Sequence, residues 1–443
     1  MNLKTIAALF NCSSPDETAV CGFCIDSRQV KPGYLFIALA GERFDGHDFI
    51  DEAQKRGAVG VLCSKNVPVA IPQIKVNDTL LALGDLARFY REGIHCPVIA
   101  LTGSNGKTSV KEMIASILPK PSFATMGNLN NHIGAPLSVL SVLPQHRFAV
   151  FELGASHLNE IAYTVALVKP EVALINNIAP AHIEGFGSLD GVARAKGEIY
   201  QGLPSGGTAI VNADDEYAHF WDEVLNDKKV LRFALEQKPS ADLYTENRVF
   251  DQEGCAQFDL IFPTGRAKIT LQVPGEHSIR NALAAAACCY ASGISLAEIV
   301  AGLGNFQGVA GRMAFRTGKN QSVIIDDSYN ANLCSVLTAI EVLGKRPGRK
   351  ILVLGDLGEL GSYTRAHHES IGRTALAKGI DLLLTCGTHS AFSSEAFGQS
   401  AKHYQNQEEL ARDLLTKLDK ETTVLVKGSR SAAMEKIVHQ LLG

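Results

Sequence analysis

The stretch that most constrains this chain is Ile99-Ala100-Leu101-Thr102-Gly103-Ser104-Asn105-Gly106-Lys107-Thr108-Ser109. The apolar run leading into it, Pro97 to Leu101, reads as a buried strand of a parallel sheet. Behind it, Lys107 to Leu118 carries apolar residues at 110, 113, 114, 117 and 118, the spacing of a helix packed on one face. Between strand and helix, Gly103 and Gly106 let the backbone bend so that N–H groups converge, and the helix N-terminus adds partial positive charge. Lys107 can then reach the terminal phosphates of a nucleotide, and the Thr108 hydroxyl a magnesium ion. Common phosphate loops have four residues between their glycines; this one has two, Ser104 and Asn105. ATP binding on an α/β sheet is the expectation.

At 443 residues the chain exceeds one hydrophobic core and predicts several domains. A net charge of −4 leaves no basic footprint for nucleic acid. Near the start only Ile6 to Phe10 are continuously apolar, too short for a secretory core, and Ala282 to Ala291 is too short to span a bilayer. A cytoplasmic protein with no membrane span is expected. The ten cysteines do not form a disulfide framework in a chain this long. Cys21-Gly22-Phe23-Cys24 has CxxC spacing but no second pair to complete a zinc site, so core packing is expected there.

The predicted fold class is α/β in three domains. Residues 1–94 mix short strands and helices in a small N-terminal α/β domain. Residues 95–312 form a central domain of P-loop ATPase type, a mostly parallel sheet with an antiparallel addition from Asp242 to Val273, where Glu253-Gly254 and Thr264-Gly265 read as turns. Residues 313–443 restart the strand–helix alternation as a Rossmann-like domain without Gly-x-Gly-x-x-Gly. Its strand ends carry Asp327, Asp356 and Lys427, where open α/β sheets place ligands.

Several residues outside the phosphate loop have the right chemistry, each with a plainer alternative. Glu152 follows the strand Phe148 to Phe151 and can hold magnesium against nucleotide phosphates, or be an exposed strand-end carboxylate. His182, in Asn177-Ile178-Ala179-Pro180-Ala181-His182, also lies just past a strand, where an ordinary loop histidine is common. Asn130 and Asn131 supply amides, or mark a helix N-terminus or turn. Lys196 lies in a helix, where a solvated face is the default. In the N-terminal domain, Asp26-Ser27-Arg28 and the loop Gly41-Glu42-Arg43-Phe44-Asp45-Gly46-His47-Asp48 suit a polar ligand or a solvated turn.

Taken in order, these elements resemble one family, the Mur ligases of bacterial peptidoglycan synthesis. The resemblance runs through Thr102 to Thr108, Glu152-Leu153-Gly154-Ala155, Asn177 to His182, Ala195-Lys196, Gly275-Glu276-His277 with Asn281, Gly311-Arg312 and Asp327-Ser328. Within the family, Thr125 to Leu137, Ala195 to Ile199, Asp326 to Asn332 and Leu354 to Gly361 look like the branch of MurF type, which joins D-alanyl-D-alanine to UDP-N-acetylmuramoyl-tripeptide. One departure is Leu333, where that branch usually has Pro after Asn-Ala-Asn; it removes a preset φ at a helix start and no chemical group.

The resemblance implies an ATP- and Mg2+-dependent amide ligase working through an acyl phosphate. Gly103, Ser104, Asn105, Gly106, Lys107, Thr108 and Ser109 would hold the phosphates, with Asn281, Arg312 and Asp327 at the rest of the nucleotide. Thr108, Glu152, His182 and a carbamylated Lys196 would serve the metal ions, and Lys107, His182 and Lys196 the chemistry. Ser27, Arg28, Gly46 and His47 would anchor the UDP-sugar, and Asn130, Asn131, Asn330 and Asn332 would contact substrate. The expected partners are UDP-N-acetylmuramoyl-tripeptide and D-alanyl-D-alanine, with the chain a monomer. Another Mur-type ligase, a folylpolyglutamate synthase, a P-loop kinase or ATPase, and a catalytically dead binding protein are the rivals.

Overall fold

The computed structural model describes residues 1–13, 16–41, 44–180 and 183–442, the side chain of Ile183 excepted. The chain forms two compact units, Met1–Ala100 with Pro119–Ala155 and Asn159–Glu171, and Leu101–Leu118 with Ser156–Leu158 and Val172–Gly443.

In the first unit, β1 (Gly22–Cys24), β2 (Tyr34–Ile37), β3 (Gly60–Cys63) and β4 (Gln73–Lys75) form a parallel sheet in chain order. These strands are only three or four residues long. They are held by a small core of Cys24, Val30, Phe36, Ile50, Ala53 and Val61. The helix Thr79–Glu92 is capped by Asp78, whose side chain accepts from Leu80 N and Leu81 N, and it buries Ala82, Leu83, Leu86 and Ala87 at helical spacing. Strand β5 (Val98–Thr102) starts in this unit and ends in the other. Its fully buried sequence Val-Ile-Ala-Leu-Thr matches a parallel strand covered on both faces. β6 (Ser122–Ala124) and β7 (Phe148–Glu152) pair in parallel. Of the CxxC pair, Cys24 is in the core and Cys21 is exposed, and all ten cysteines are free.

In the second unit, β8 (Val172–Ile175), β9 (Thr208–Asn212) and β10 (Lys229–Phe233) run parallel. β11 (Tyr244–Phe250), β12 (Cys255–Phe262) and β13 (Gly265–Pro274) form the expected meander as a separate three-stranded sheet. Alternate residues of β12, Ala256, Phe258, Leu260 and Phe262, face its core.

The last sheet contains β14 (Ala314–Thr317), β15 (Val323–Asp327), β16 (Arg349–Gly355), β17 (Leu382–Cys386), β18 (Ala401–Tyr404) and β19 (Thr422–Lys427) in the order β14-β15-β19-β16-β17-β18. Only β14 runs antiparallel to its neighbour. Successive residues feed opposite cores: Ile324, Ile351, Val353 and Val424 pack with Leu410, Leu414 and Ile437, whereas Ile325, Leu352, Leu354 and Leu425 pack with Val336, Ile340 and Ile371. A doubly wound sheet covered on both faces follows. β14 and β18 escape a reading of the sequence because edge strands such as Ala-Phe-Arg-Thr and Ala-Lys-His-Tyr lack a buried apolar run.

One buried histidine ties this domain to pH. His368, fully buried, donates from Nδ1 to Thr364 O at 2.8 Å and accepts from Leu357 N at Nε2, 3.2 Å. That pattern needs the neutral ring, and burial pushes its pKa below the ordinary histidine value. A folded-state pKa below the unfolded value means that its stabilisation is full above about 6.5 and is lost as pH falls toward the depressed value. Thermal melts are therefore expected to drop between neutral pH and about pH 5, and His368→Gln to show a smaller drop over the same range. Equal slopes for both proteins would remove His368 from the account.

Among the described residues no helix is long and apolar enough to cross a membrane.

Candidate active site

In the second unit, the loop after β5 leads into the helix Lys107–Ile117, whose first turn has no side-chain cap and so offers its N-terminal N–H groups to an anion. Gly103 (φ 152) and Gly106 (φ 78) take backbone conformations that favour glycine. A Cβ on Gly106 would lie 2.5 Å from Asn281 Oδ1 and 2.7 Å from Asn176 Nδ2.

The loop is fastened to the end of β8. Ser104 N donates to Asn177 O (2.9 Å) and Asn105 N to Asn177 Oδ1 (2.8 Å). Ser104 Oγ donates to Ala179 O and accepts from Ala179 N. Asn176 Nδ2 donates both to Asn105 O and to Asn281 Oδ1. Of the loop's N–H groups, those of Ser104 and Asn105 are therefore spent on holding its shape. The cradle that remains is the turn at Gly106 and the start of the helix, where Thr108 and Ser109 are half-buried. Asn281 touches this framework rather than standing apart from it. The asparagine pair at 176 and 177 was legible only as part of a family motif.

Lys107 Nζ donates to Gly103 O at 2.7 Å. Lys196, in the helix Leu189–Gln201, is 2% exposed, which overturns the solvated-face reading. It belongs to the stripe of Val192, Ala195, Ile199 and Tyr200, all buried, and that spacing was the available signal. Its amine lies over the Phe186 ring at 5.8 Å, and among the described residues no carboxylate pairs with it. Burial, with a smaller push from Lys107, lowers its pKa well below the usual lysine range.

Arg312 Nη2 donates to Thr108 Oγ1 at 3.2 Å, and its guanidinium stacks 4.4 Å from the centre of the Tyr329 ring. Asn332 donates to Asn105 Oδ1 at 2.7 Å while its own Oδ1 accepts from Ser335 N. It thereby caps the helix Leu333–Gly344, which starts at Leu333 without the proline. The strand-end charges answer each other: Lys427 Nζ meets Asp327 Oδ2 at 2.5 Å and Asn330 O at 3.0 Å, and Met313 N donates to Asp327 Oδ1. Asp356 likewise accepts from the N–H groups of Thr388, His389 and Ser390.

In the first unit, Glu152 is 3% exposed, so the exposed-carboxylate alternative falls. Its Oε1 accepts from Asn130 Nδ2 at 2.9 Å, whereas Oε2 is buried with no hydrogen-bond partner among the described residues. A buried, unsatisfied carboxylate oxygen is costly and fits a hard cation such as magnesium. Asn131 Oδ1 accepts from Gly134 N at the start of the helix Gly134–Leu140, the plainer of its two readings.

Further along this unit, Asp26 receives a two-pronged bond from Arg28, which holds its carboxyl down at about 2. Ser27 is buried and donates to Glu52 at 2.7 Å. His47 is buried between Asp45 at Nδ1 and the Ser64 N–H at Nε2, and Lys65 with His47 keeps Asp45 well below the usual carboxylate range. A Cβ on Gly46 would lie 2.7 Å from Leu39 O, so this turn needs glycine. Ser27, Gly46 and His47 thus shape the two loops, and Arg28 is the exposed member. His182, with Glu42 and Arg43, lies outside the described residues.

Residues 20–91 match the Mur ligase family catalytic domain, 101–289 the Mur ligase middle domain, and 311–430 the Mur ligase glutamate ligase domain. The chain is 47% identical to the UDP-N-acetylmuramoyl-tripeptide–D-alanyl-D-alanine ligase of Escherichia coli, over 94% of this chain and 92% of that one. The crystal structure of MurF from Acinetobacter baumannii superposes with a TM-score of 0.90 at 35% identity, covering 99% and 98% of the two chains. MurF from Thermotoga maritima, solved in complex with ADP, gives 0.82 at 27% identity over 96% and 97%. These likenesses do not favour the kinase, folylpolyglutamate or binding-protein readings. The chain belongs to the Mur ligase family, and within it to the MurF type.

Proposed function

We propose that this chain joins the amino group of D-alanyl-D-alanine to the terminal carboxylate of UDP-N-acetylmuramoyl-tripeptide, forming the pentapeptide precursor of peptidoglycan in the cytoplasm. The observation that carries this reading is the likeness to ligases of that name along the whole chain. We further propose residues 1–94 as the UDP-sugar domain, 95–312 as the nucleotide domain and 313–443 as the domain completing the ligase, with the chain acting as a monomer in cell-wall growth and division.

A carboxylate is a poor electrophile, and ATP with magnesium supplies the phosphoryl group that activates it. The tripeptide carboxylate oxygen attacks the γ-phosphorus and ADP leaves; the amine nitrogen then attacks the acyl carbon, phosphate departs, and the amine gives up a proton. Lys107 and the helix N-terminus hold the phosphates in line, and Arg312 lends charge where phosphate oxygens develop it. Thr108, Glu152 and His182 are the residues that would hold magnesium, which would neutralise phosphate charge when bound. Lys196, buried and held toward its neutral form, can add carbon dioxide through its nitrogen and release a proton to solvent, becoming a carbamate, an anion suited to a metal site in a way that a cation is not. The acceptor amine has a reference pKa of about 7.7 to 8.0, so a sizeable neutral fraction exists without a protein base.

The test is phosphate release with ATP, magnesium, UDP-N-acetylmuramoyl-tripeptide and D-alanyl-D-alanine, omitting each in turn. Release should require all four. Release that ignores the dipeptide would favour an ATPase, and a different preferred acceptor would favour another Mur-type ligase.

A further inference from the structure

The helix Leu189–Gln201 carries Lys196, and more than one of its faces is covered. Six successive residues, Ala195 to Tyr200, are buried, whereas a helix packed on a sheet alone hides only a stripe. The sheet covers one side: Tyr200 Oη donates to Ile210 O of β9 at 2.6 Å and accepts from Ile175 N of β8. Another element has to cover the rest.

That cover is the turn-rich segment after β9. Tyr217 Oη donates to Asp190 Oδ1 at 2.6 Å, in the helix's first turn. About one turn further on, Trp221, the chain's one tryptophan, is 4% exposed and donates from Nε1 to Ala193 O at 3.1 Å. Its indole is seated on Gly197, where a Cβ would stand 2.4 Å from Nε1 and 2.6 Å from Cδ1. The ring also meets Tyr200 edge-on, with centres 5.6 Å apart. Positions 190, 193, 197 and 200 recur at helical spacing, so the segment runs along one side of the helix, next to the face that carries Lys196.

The same segment is anchored to the support of the phosphate loop. Asp215 accepts from Ile178 N at 2.7 Å and from Tyr217 N at 2.9 Å. Ile178 lies between Asn177 and Ala179, the two residues to which Ser104 and Asn105 are fastened. Arg232 of β10 adds bonds to Ala218 O and Asp222. Residues 215–222 therefore brace the helix that holds Lys196 against the strand end that holds the loop. The chemistry proposed above makes no use of the indole, whose one polar atom is spent on the helix backbone.

We propose that Trp221 is a positioning residue for the ligase reaction: seated on Gly197 and bonded to Ala193 O, it fixes where Lys196 stands relative to the phosphate loop. This rests on the function, and on the role of Lys196, proposed above.

The test measures phosphate release in the complete reaction for Trp221→Phe, which keeps a buried ring and removes the N–H, and for Gly197→Ala, which keeps every polar group and puts a Cβ against the indole. Each change is also made in a Lys196→Ala background. A misplacement of about 1 Å can cost on the order of 100-fold in rate. In both single variants kcat should fall about 10- to 100-fold, with the KM for ATP within about twofold of wild type, because the loop's own bonds are untouched. Gly197→Ala is the sharper of the two, since alanine is the better helix former and the loss cannot come from a weakened helix. In the Lys196→Ala background the same changes should cost less than about twofold, because nothing remains to be positioned. A structural defect unconnected with Lys196 would cost the same factor in both backgrounds; that result overturns the assignment, as does a wild-type kcat in both single variants. Wild-type phosphate release that ignores the dipeptide overturns the proposed function instead, and a Lys196→Ala chain as active as wild type overturns the role of Lys196. Either result takes this assignment with it and is seen without any change at Trp221 or Gly197.

Discussion

Lys107→Ala is expected to lower the rate of phosphate release in the complete reaction by at least about 100- to 1,000-fold, the scale of one removed group that stabilises charge in a transition state. The reason lies in its position. The amine sits on the first residue of the helix Lys107–Ile117 and reaches back to Gly103 O, so it is placed over the turn where the phosphates would lie. The loop's shape does not depend on it, because Ser104, Asn105, Asn176, Asn177 and Asn281 form the framework. Stability should change by no more than about 1.5 kcal/mol, the worth of one hydrogen bond. A normal melt with a collapsed rate is the predicted combination, and near-normal turnover would sink the phosphate-holding role. Lys107→Arg keeps the charge but loses the compact ammonium, and should recover only part of the rate.

The architecture around that lysine was readable where a single local rule decides the outcome. β5 and the helix behind it followed from an apolar run, two glycines and an amphipathic period, and the helix Leu333–Gly344 begins where Asn332 provides a cap. The meander from Tyr244 to Pro274 was visible in its turns and alternation. What stayed hidden depends on partners distant in sequence. Asn332 bonds Asn105 across 227 positions and Lys427 pairs with Asp327 across 100, and no local pattern encodes either. The reading of Asp327, Asp356 and Lys427 as a ligand edge was chemically sound but missed that these groups first satisfy the fold. Exposure was the other weak point, since the type of residue at Glu152 and Lys196 suggests a wet surface, and only at Lys196 did the apolar spacing of the helix signal the burial that packing imposes on both.

Lys196→Ala carries the second large effect. A buried ammonium without an anionic partner is among the costliest states that a fold can hold, and here burial and the charge of Lys107 both favour the neutral amine. The same Lys107 charge would stabilise the anion formed once that amine takes up carbon dioxide. Both effects are the ones that the carbamate proposed at Lys196 would need. Removing the side chain should abolish most turnover by deleting that anion, and it leaves a cavity in the stripe of Val192, Ala195 and Ile199 where a small carboxylate can lodge. Added formate or acetate should then restore part of the rate, rising with concentration and saturating. Carbon-dioxide-depleted buffer should slow the wild type and leave the rescued variant unaffected. A fully active Lys196→Ala enzyme that gains nothing from short acids would refute the carbamate and leave Lys196 a buried neutral amine that packs its helix.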